Sequence, residues 1–281
     1  MEQKKPFLKK LSVLFATLVG IFLITYLLPV GEILKALKEV SLKSLAIGLF
    51  LYTLSYLFRT FRWKYYYPKA PLGYLFFTTS TNTFFNNLLP ARMGEGSIFL
   101  LLKRFDPSVK ETLKKFLKVR LLDGFAILTL LTLSVVWVKV NPLLGIFMSL
   151  AIYPLGVFTS KFLSRFHSKI PSLGWEVAPF LLSVGALISK LLAVYTVLEF
   201  LKMDFFKFAG GFIGGELSSI LPIHSFAGLG SYETAFAFSL KLLFGETFKE
   251  GFKVAFLSHS FLLFGSSLLG LLSLLFLKRK G

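Results

Sequence analysis

Long apolar runs alternate with short basic segments along the whole chain. Runs at 11–29, 44–61, 121–138, 143–160, 177–201 and 252–277 approach the roughly 20 residues that a helix needs to cross a bilayer, and they predict six transmembrane helices. Two further segments, 72–102 and 205–244, are apolar overall but break the pattern. The first carries Thr78, Thr79, Ser80, Thr81, Asn82, Thr83, Asn86 and Asn87, then Leu89-Pro90 and Gly94-Glu95-Gly96. The second carries Gly215, Glu216, Ser218 and Ser219, then Leu221-Pro222 and Gly228-Leu229-Gly230-Ser231-Tyr232-Glu233. Backbone broken by Pro and Gly is tolerated at membrane depth only where protein or a wet cavity surrounds it. The residues after Pro90 cover only about half a membrane at ~1.5 Å per residue. Each segment therefore predicts a re-entrant helical hairpin, and a pair of such breaks points to the binding site of a transporter.

Other stretches are of familiar kinds. Residues 106–120 predict a loop and a basic amphipathic helix, with Val109, Leu113, Phe116 and Leu117 on one face. Ser108 and Glu111 have capping-box spacing at its start. Such a helix either lies on anionic headgroups or packs on the bundle. Gly210, Gly211, Gly214 and Gly215 form overlapping GxxxG spacings that allow close helix approach.

Composition agrees with this pattern. The chain of 281 residues is 55% hydrophobic, with 34 Phe and a mean hydropathy of +0.72. A soluble domain could not bury that much apolar surface. The chain reads as an all-α integral membrane protein forming one domain over 1–281. There is no cysteine, which excludes disulfides and thiol chemistry. His167, His224 and His259 lie far apart in sequence, so no metal and no cofactor is expected.

The net charge of +18 raises the idea of a nucleic-acid partner, but the charges sort by side of the membrane. With the N-terminus in the cytoplasm, six spans and two same-side hairpins return the C-terminus there. Most of the 32 Lys and Arg residues then fall in cytoplasmic segments, as the positive-inside rule requires. Arg92 and Lys190 remain at membrane depth. Counting each broken segment as two full spans preserves this sidedness, so charge alone leaves both versions open. In the hairpin version, residues 44–138 (hairpin 72–102) and 177–277 (hairpin 205–244) run in opposite senses, which is the inverted repeat behind alternating access.

Ionisable groups at membrane depth cost about 2.5–3.5 kcal/mol each, so each needs a partner or water. The candidates for substrate binding are Arg92, Glu95, Asn86, Asn87, Glu216, Glu233, His224 and Lys190. Arg92 begins a half-helix whose amides also favour anions, and it could grip a phosphate or simply pair with Glu95. Glu216 and Glu233 could couple protons, bind a cationic headgroup or tie the second hairpin. Lys190 could face the cavity or pair with Glu216. Arg59, Arg62 and Trp63, with Arg120 and Asp123, form an interface group, the first two arginines reaching toward headgroups and the last two pairing. No nucleophile–base set, phosphate-binding loop or dinucleotide fingerprint occurs, so the chain is not expected to be an enzyme or to hydrolyse ATP.

Arg59-Thr60-Phe61-Arg62-Trp63, Asn87-Leu88-Leu89-Pro90-Ala91-Arg92-Met93-Gly94-Glu95, Arg120-Leu121-Leu122-Asp123 and Leu221-Pro222 with Gly228-Leu229-Gly230-Ser231-Tyr232-Glu233 together resemble the lysylphosphatidylglycerol synthetase transmembrane (flippase-like) family. The resemblance runs from about 11 to 277. It implies a lipid-translocating domain with two re-entrant hairpins. Bifunctional members add a cytoplasmic aminoacyl transferase, which is not expected here because the chain ends four residues after its last apolar run. Family members often carry an arginine soon after the Gly-Glu pair, where this chain has Ser97-Ile98-Phe99. Headgroup preference is therefore not carried over.

The leading expectation is a flippase or scramblase in the cell (inner) membrane. Its partners would be membrane lipids with anionic or phosphate-bearing headgroups: a phospholipid, glycolipid or polyprenyl-phosphate lipid. Two alternatives are an ion-coupled small-solute carrier and a non-transporting companion of an envelope lipid-modifying enzyme. Homo-oligomerisation is compatible with all three.

Overall fold

A computed structural model describes residues 17–19, 21–22, 24–28, 30–167, 172–218 and 226–280. Among these, every regular element is helical. In chain order they are α1 (Val30–Glu39), α2 (Leu42–Tyr66), α3 (Leu72–Leu88), α4 (Gly96–Leu102), α5 (Val109–Lys139), α6 (Pro142–Phe166), α7 (Val177–Val197), α8 (Phe205–Ser218), α9 (Ser231–Phe244) and α10 (Phe248–Lys280). Five of them, α2, α5, α6, α7 and α10, are long and apolar enough to cross a membrane. The expected first span, 11–29, lies partly outside the described residues, and its described positions between Thr17 and Leu27 are helical.

Local chemistry sets the helix starts. Ser41 Oγ accepts the Ser44 amide at 3.0 Å and Ser108 Oγ accepts the Glu111 amide at 3.3 Å, opening α2 and α5. Asn141 Oδ1 accepts from Leu143 and Leu144 at 2.8 and 3.3 Å, and Pro142 stands at the first helical position of α6. Two elements differ from the sequence expectation. The amphipathic stretch after Ser108 and the third span form one 31-residue helix, α5, because no Pro interrupts it and a single glycine, Gly124, costs a helix only about 1 kcal/mol. The α1 helix between the first two spans was not anticipated.

Both broken segments are helix–break–helix units. In the first, α3 leads through a 3₁₀ turn, Pro90–Glu95, into α4. In the second, α8 and α9 flank a 3₁₀ turn at Phe226–Gly228. At ~1.5 Å per residue, α8 and α9 with 14 residues each reach about 21 Å, short of the ~30 Å hydrocarbon core. Pro222 and His224 lie outside the described residues.

Small residues bring the helices together. A Cβ on Gly48 of α2 would sit 2.3 Å from Val197 of α7. On Gly211, Gly214 and Gly215 of α8 it would meet Phe236, Ser239 and Tyr232 of α9 at 2.5, 2.4 and 2.7 Å. The expected close approach is thus made within the second broken segment. The two broken segments also reach across to opposite halves of the chain. Helix α3 lies on α10, where Phe77 stacks on Phe276 and Gly270 accommodates Phe84. Helix α8 lies on α5, where Phe206 stacks on Trp137 at 4.3 Å. Helix α6 rests mainly on α5 and turns Phe147, Leu150, Phe158 and Phe162 outward, as a lipid-facing helix does.

Candidate functional site

Helices α2, α3, α4, α5, α7, α8, α9 and α10 line a cavity of about 180 Å³. Its wall from α3 is one polar stripe, Thr79, Asn82, Thr83 and Asn86, spaced three and four residues apart as one helix face requires. Asn82 Nδ2 donates to Gly94 O at 3.0 Å and Ser97 Oγ at 3.1 Å, which ties the 3₁₀ turn back onto α3. Asn86 Nδ2 donates to Asn82 Oδ1 at 3.2 Å, and its own buried Oδ1 accepts no hydrogen bond. Asn87 Nδ2 donates to Ser266 Oγ of α10 at 2.9 Å.

Opposite this stripe stand four cations, Arg59, Arg62, Arg120 and Lys190. Arg62 is only 4% exposed; it pairs with Asp123 and donates to Ser183 Oγ at 2.6 Å. It therefore points into the bundle and not toward headgroups, because Asp123 of α5 and Ser183 of α7 face it from both sides. Its buried Nε makes no hydrogen bond. Arg120 bonds Glu95 Oε1 at 2.8 Å and stands 3.8 Å from Asp123, so its closer link is to the first broken segment. Lys190 bonds both Glu216 oxygens, at 2.7 and 2.9 Å. Arg59 lies over the Tyr56 ring at 5.9 Å and has no carboxylate partner among the described residues. Trp63 is buried against Tyr67 in a small cluster with Leu75, Ile98 and Leu102, so it packs inside and does not anchor an interface. The side chain of Arg92 lies outside the described residues; its backbone sits in the 3₁₀ turn.

Removing a buried ionic partner leaves an uncompensated charge, which is strongly unfavourable. The pairs Arg62–Asp123, Arg120–Glu95 and Lys190–Glu216 remove that penalty for three of the cations. Among the described residues two carboxylates, Asp123 and Glu216, line the same wall, so its described part carries a positive excess concentrated at Arg59.

The second broken segment makes a pairing that sequence reading missed, between Glu233 and His259. Glu233 is fully buried at the start of α9. Its Oε2 accepts the Gly230 amide at 2.7 Å, and its Oε1 lies 2.7 Å from Nδ1 of His259 on α10. The His259 ring lies against Tyr232 at 4.6 Å, and both line the cavity. The available signal was a histidine in mid-span, where ionisable groups are costly; its partner, 26 residues away, was not visible in the spacing.

The chain is thus a helical, multi-pass membrane protein with a polar, cation-rich cavity between two broken helical segments. The profile of the lysylphosphatidylglycerol synthase TM region matches residues 11–270, and the chain belongs to that family. A search of curated proteins gave no match.

Proposed function

We propose that this protein is a flippase- or scramblase-like transporter that carries a phosphate-bearing lipid between leaflets of the cell membrane and performs no bond chemistry. The proposal includes six spans, two oppositely inserted re-entrant hairpins in an inverted repeat, and both termini in the cytoplasm. The reciprocal packing of α3 on α10 and α8 on α5 supports that repeat, since each is the counterpart of the other under exchange of halves. Family membership supports a lipid-related role.

The observation that carries the proposal is the cation-rich cavity. A headgroup entering bare hydrocarbon loses its hydrogen bonds at a cost of several kcal/mol per group. A cavity with Arg59 uncommitted and an amide stripe facing it replaces those bonds. About 180 Å³ is smaller than the ~300–1,000 Å³ that encloses a drug-sized ligand, so the cavity suits a headgroup whose acyl chains stay in the membrane. Arg59, with Arg92, would hold the phosphate, Asn86 and Asn87 would face it, and Glu216 and Glu233 would belong to the opposite gate.

In liposomes with a fluorescent lipid in the inner leaflet, wild-type protein should expose it to an external quencher. Arg59→Ala should slow exposure about 10–100-fold, the loss of one charged hydrogen bond of ~1.5–3 kcal/mol. Wild-type rates equal to those of empty liposomes end the proposal. Uptake of inorganic phosphate without lipid exposure would instead identify a small-solute carrier.

A further inference from the structure

We propose that His259, held by Glu233, is a proton-binding site on the cavity wall, and that a proton there and an anionic headgroup in the cavity favour each other. This rests on the translocation reading above and adds to it a coupling ion.

The geometry fixes the tautomer. Glu233 keeps its carboxylate surrounded by donors: Gly230 N–H on Oε2 at 2.7 Å and His259 Nδ1 on Oε1 at 2.7 Å. A neutral imidazole facing a carboxylate oxygen must place its hydrogen on Nδ1, which leaves the lone pair on Nε2. Nε2 has no hydrogen-bond partner among the described residues, and the ring lines the cavity. A proton arriving from the cavity at Nε2 converts an imidazole–carboxylate hydrogen bond into an imidazolium–carboxylate pair. Glu233 is fully buried and already balances the charge, so the cavity wall gains one positive charge without an unpartnered ion forming behind it.

The surroundings keep that added charge directed at the cavity. From α9 the ring meets Tyr232, whose buried hydroxyl makes no hydrogen bond. From α8 comes Glu216, bound to Lys190 of α7. From α2 come Arg59 at the cavity wall and the Tyr52–Tyr56 pair, Tyr52 donating to Leu262 O on the helix of His259. Helix α3 presents amides, and its one ionisable side chain, Tyr74, donates to Leu101 O. Glu233 is therefore the carboxylate in contact with the imidazole, and Glu216, which also lines the cavity, is bound to a lysine. Because linkage is reciprocal, an anion that favours the protonated ring is itself favoured by it.

Two measurements test this. In protein labelled at histidine ring carbons, the His259 resonance, assigned by its loss in His259→Asn, is followed from about pH 5 to 8 and should report a change of protonation. Glu233→Gln should need more acid to reach the same protonated fraction, and vesicles of an anionic phospholipid should shift the titration to higher pH. A ring that holds one protonation state across that range, or a titration indifferent to anionic lipid, overturns the proposal whether or not lipid is moved. In proteoliposomes, wild-type lipid exposure should change at least about fivefold across the same range. His259→Asn keeps a donor for Glu233 and should flatten that profile while eluting as a folded protein; an unchanged profile also overturns it. Absence of lipid movement at every pH, with the titration intact, refutes translocation and leaves the proton site standing.

Discussion

Lys190 and Glu216 put the residue-scale argument most simply. Their side chains are 12% and 10% exposed and meet through two hydrogen bonds. Lys190→Ala should therefore cost about 3–5 kcal/mol by taking the cation away from a buried carboxylate, read as a large drop in Tm in detergent. Lys190→Met combined with Glu216→Gln removes both charges and should recover most of that loss. Equal losses in the single and double variants would mean that the pair does not hold α7 to α8. The sequence brought this pair within reach, because a lysine in mid-span demands a counter-charge and a glutamate was at hand. It did not do so for Arg62. Read alone, Arg62 resembles any basic residue at a helix end, and its burial depends on Asp123, 61 positions away, being brought opposite by folding. Long-range pairing of this kind leaves no periodic trace.

Elements were legible where periodicity or punctuation marked them. Five of the six apolar runs, the Asn-Pro turn before α6, the break at Pro90 and the glycine turn at Gly228 stand where the residue chemistry puts them. The join between the basic amphipathic turns and the third span was not legible, since a change from charged to apolar residues looks like a boundary although the backbone continues through it. Glycine spacing in α8 foretold close approach but not its partner, α9. Gly214→Val would push a Cβ to within 2.4 Å of Ser239 and 2.9 Å of the Ala235 carbonyl. It should lower Tm by an amount equivalent to about 1–3 kcal/mol or more. Gly124→Ala, with open space around it, should leave Tm unchanged or raised. The entry to α5 carries an acid-sensitive tie. The hydrogen bond from Lys115 to Asp106 holds that carboxyl below its usual range, with help from the Ser108 amide and against the effect of burial. A depressed carboxyl stabilises the fold above its unfolded value near ~3.9 and loses that contribution as pH falls through the lower folded value. The Tm difference between wild type and Asp106→Asn should be full above pH ~5 and fade below pH ~4.

For the whole molecule, sidedness is the open property with the most direct test. The chain has no native cysteine, so single cysteines report cleanly on access. Residues introduced at the hairpin bases, near Lys69 and near Thr247, should react with a membrane-impermeant thiol reagent from opposite faces of the membrane. Labelling of both from one face would exclude oppositely inserted hairpins. Charge distribution leaves that arrangement and a version with full spans equally open; the cavity was not legible, because it takes eight helices to build the wall.

The crossing of α3 onto α10 and of α8 onto α5 has a mechanical consequence. On the transport reading proposed above, neither mouth would have a door of its own, because each door would lean on a post belonging to the other side. Pushing one open would lever the other, and the two would be interlocked like the gates of a canal lock. A membrane that stores energy as an ion gradient would gain from that arrangement: both gates would not stand open together, and cargo would cross without a leak.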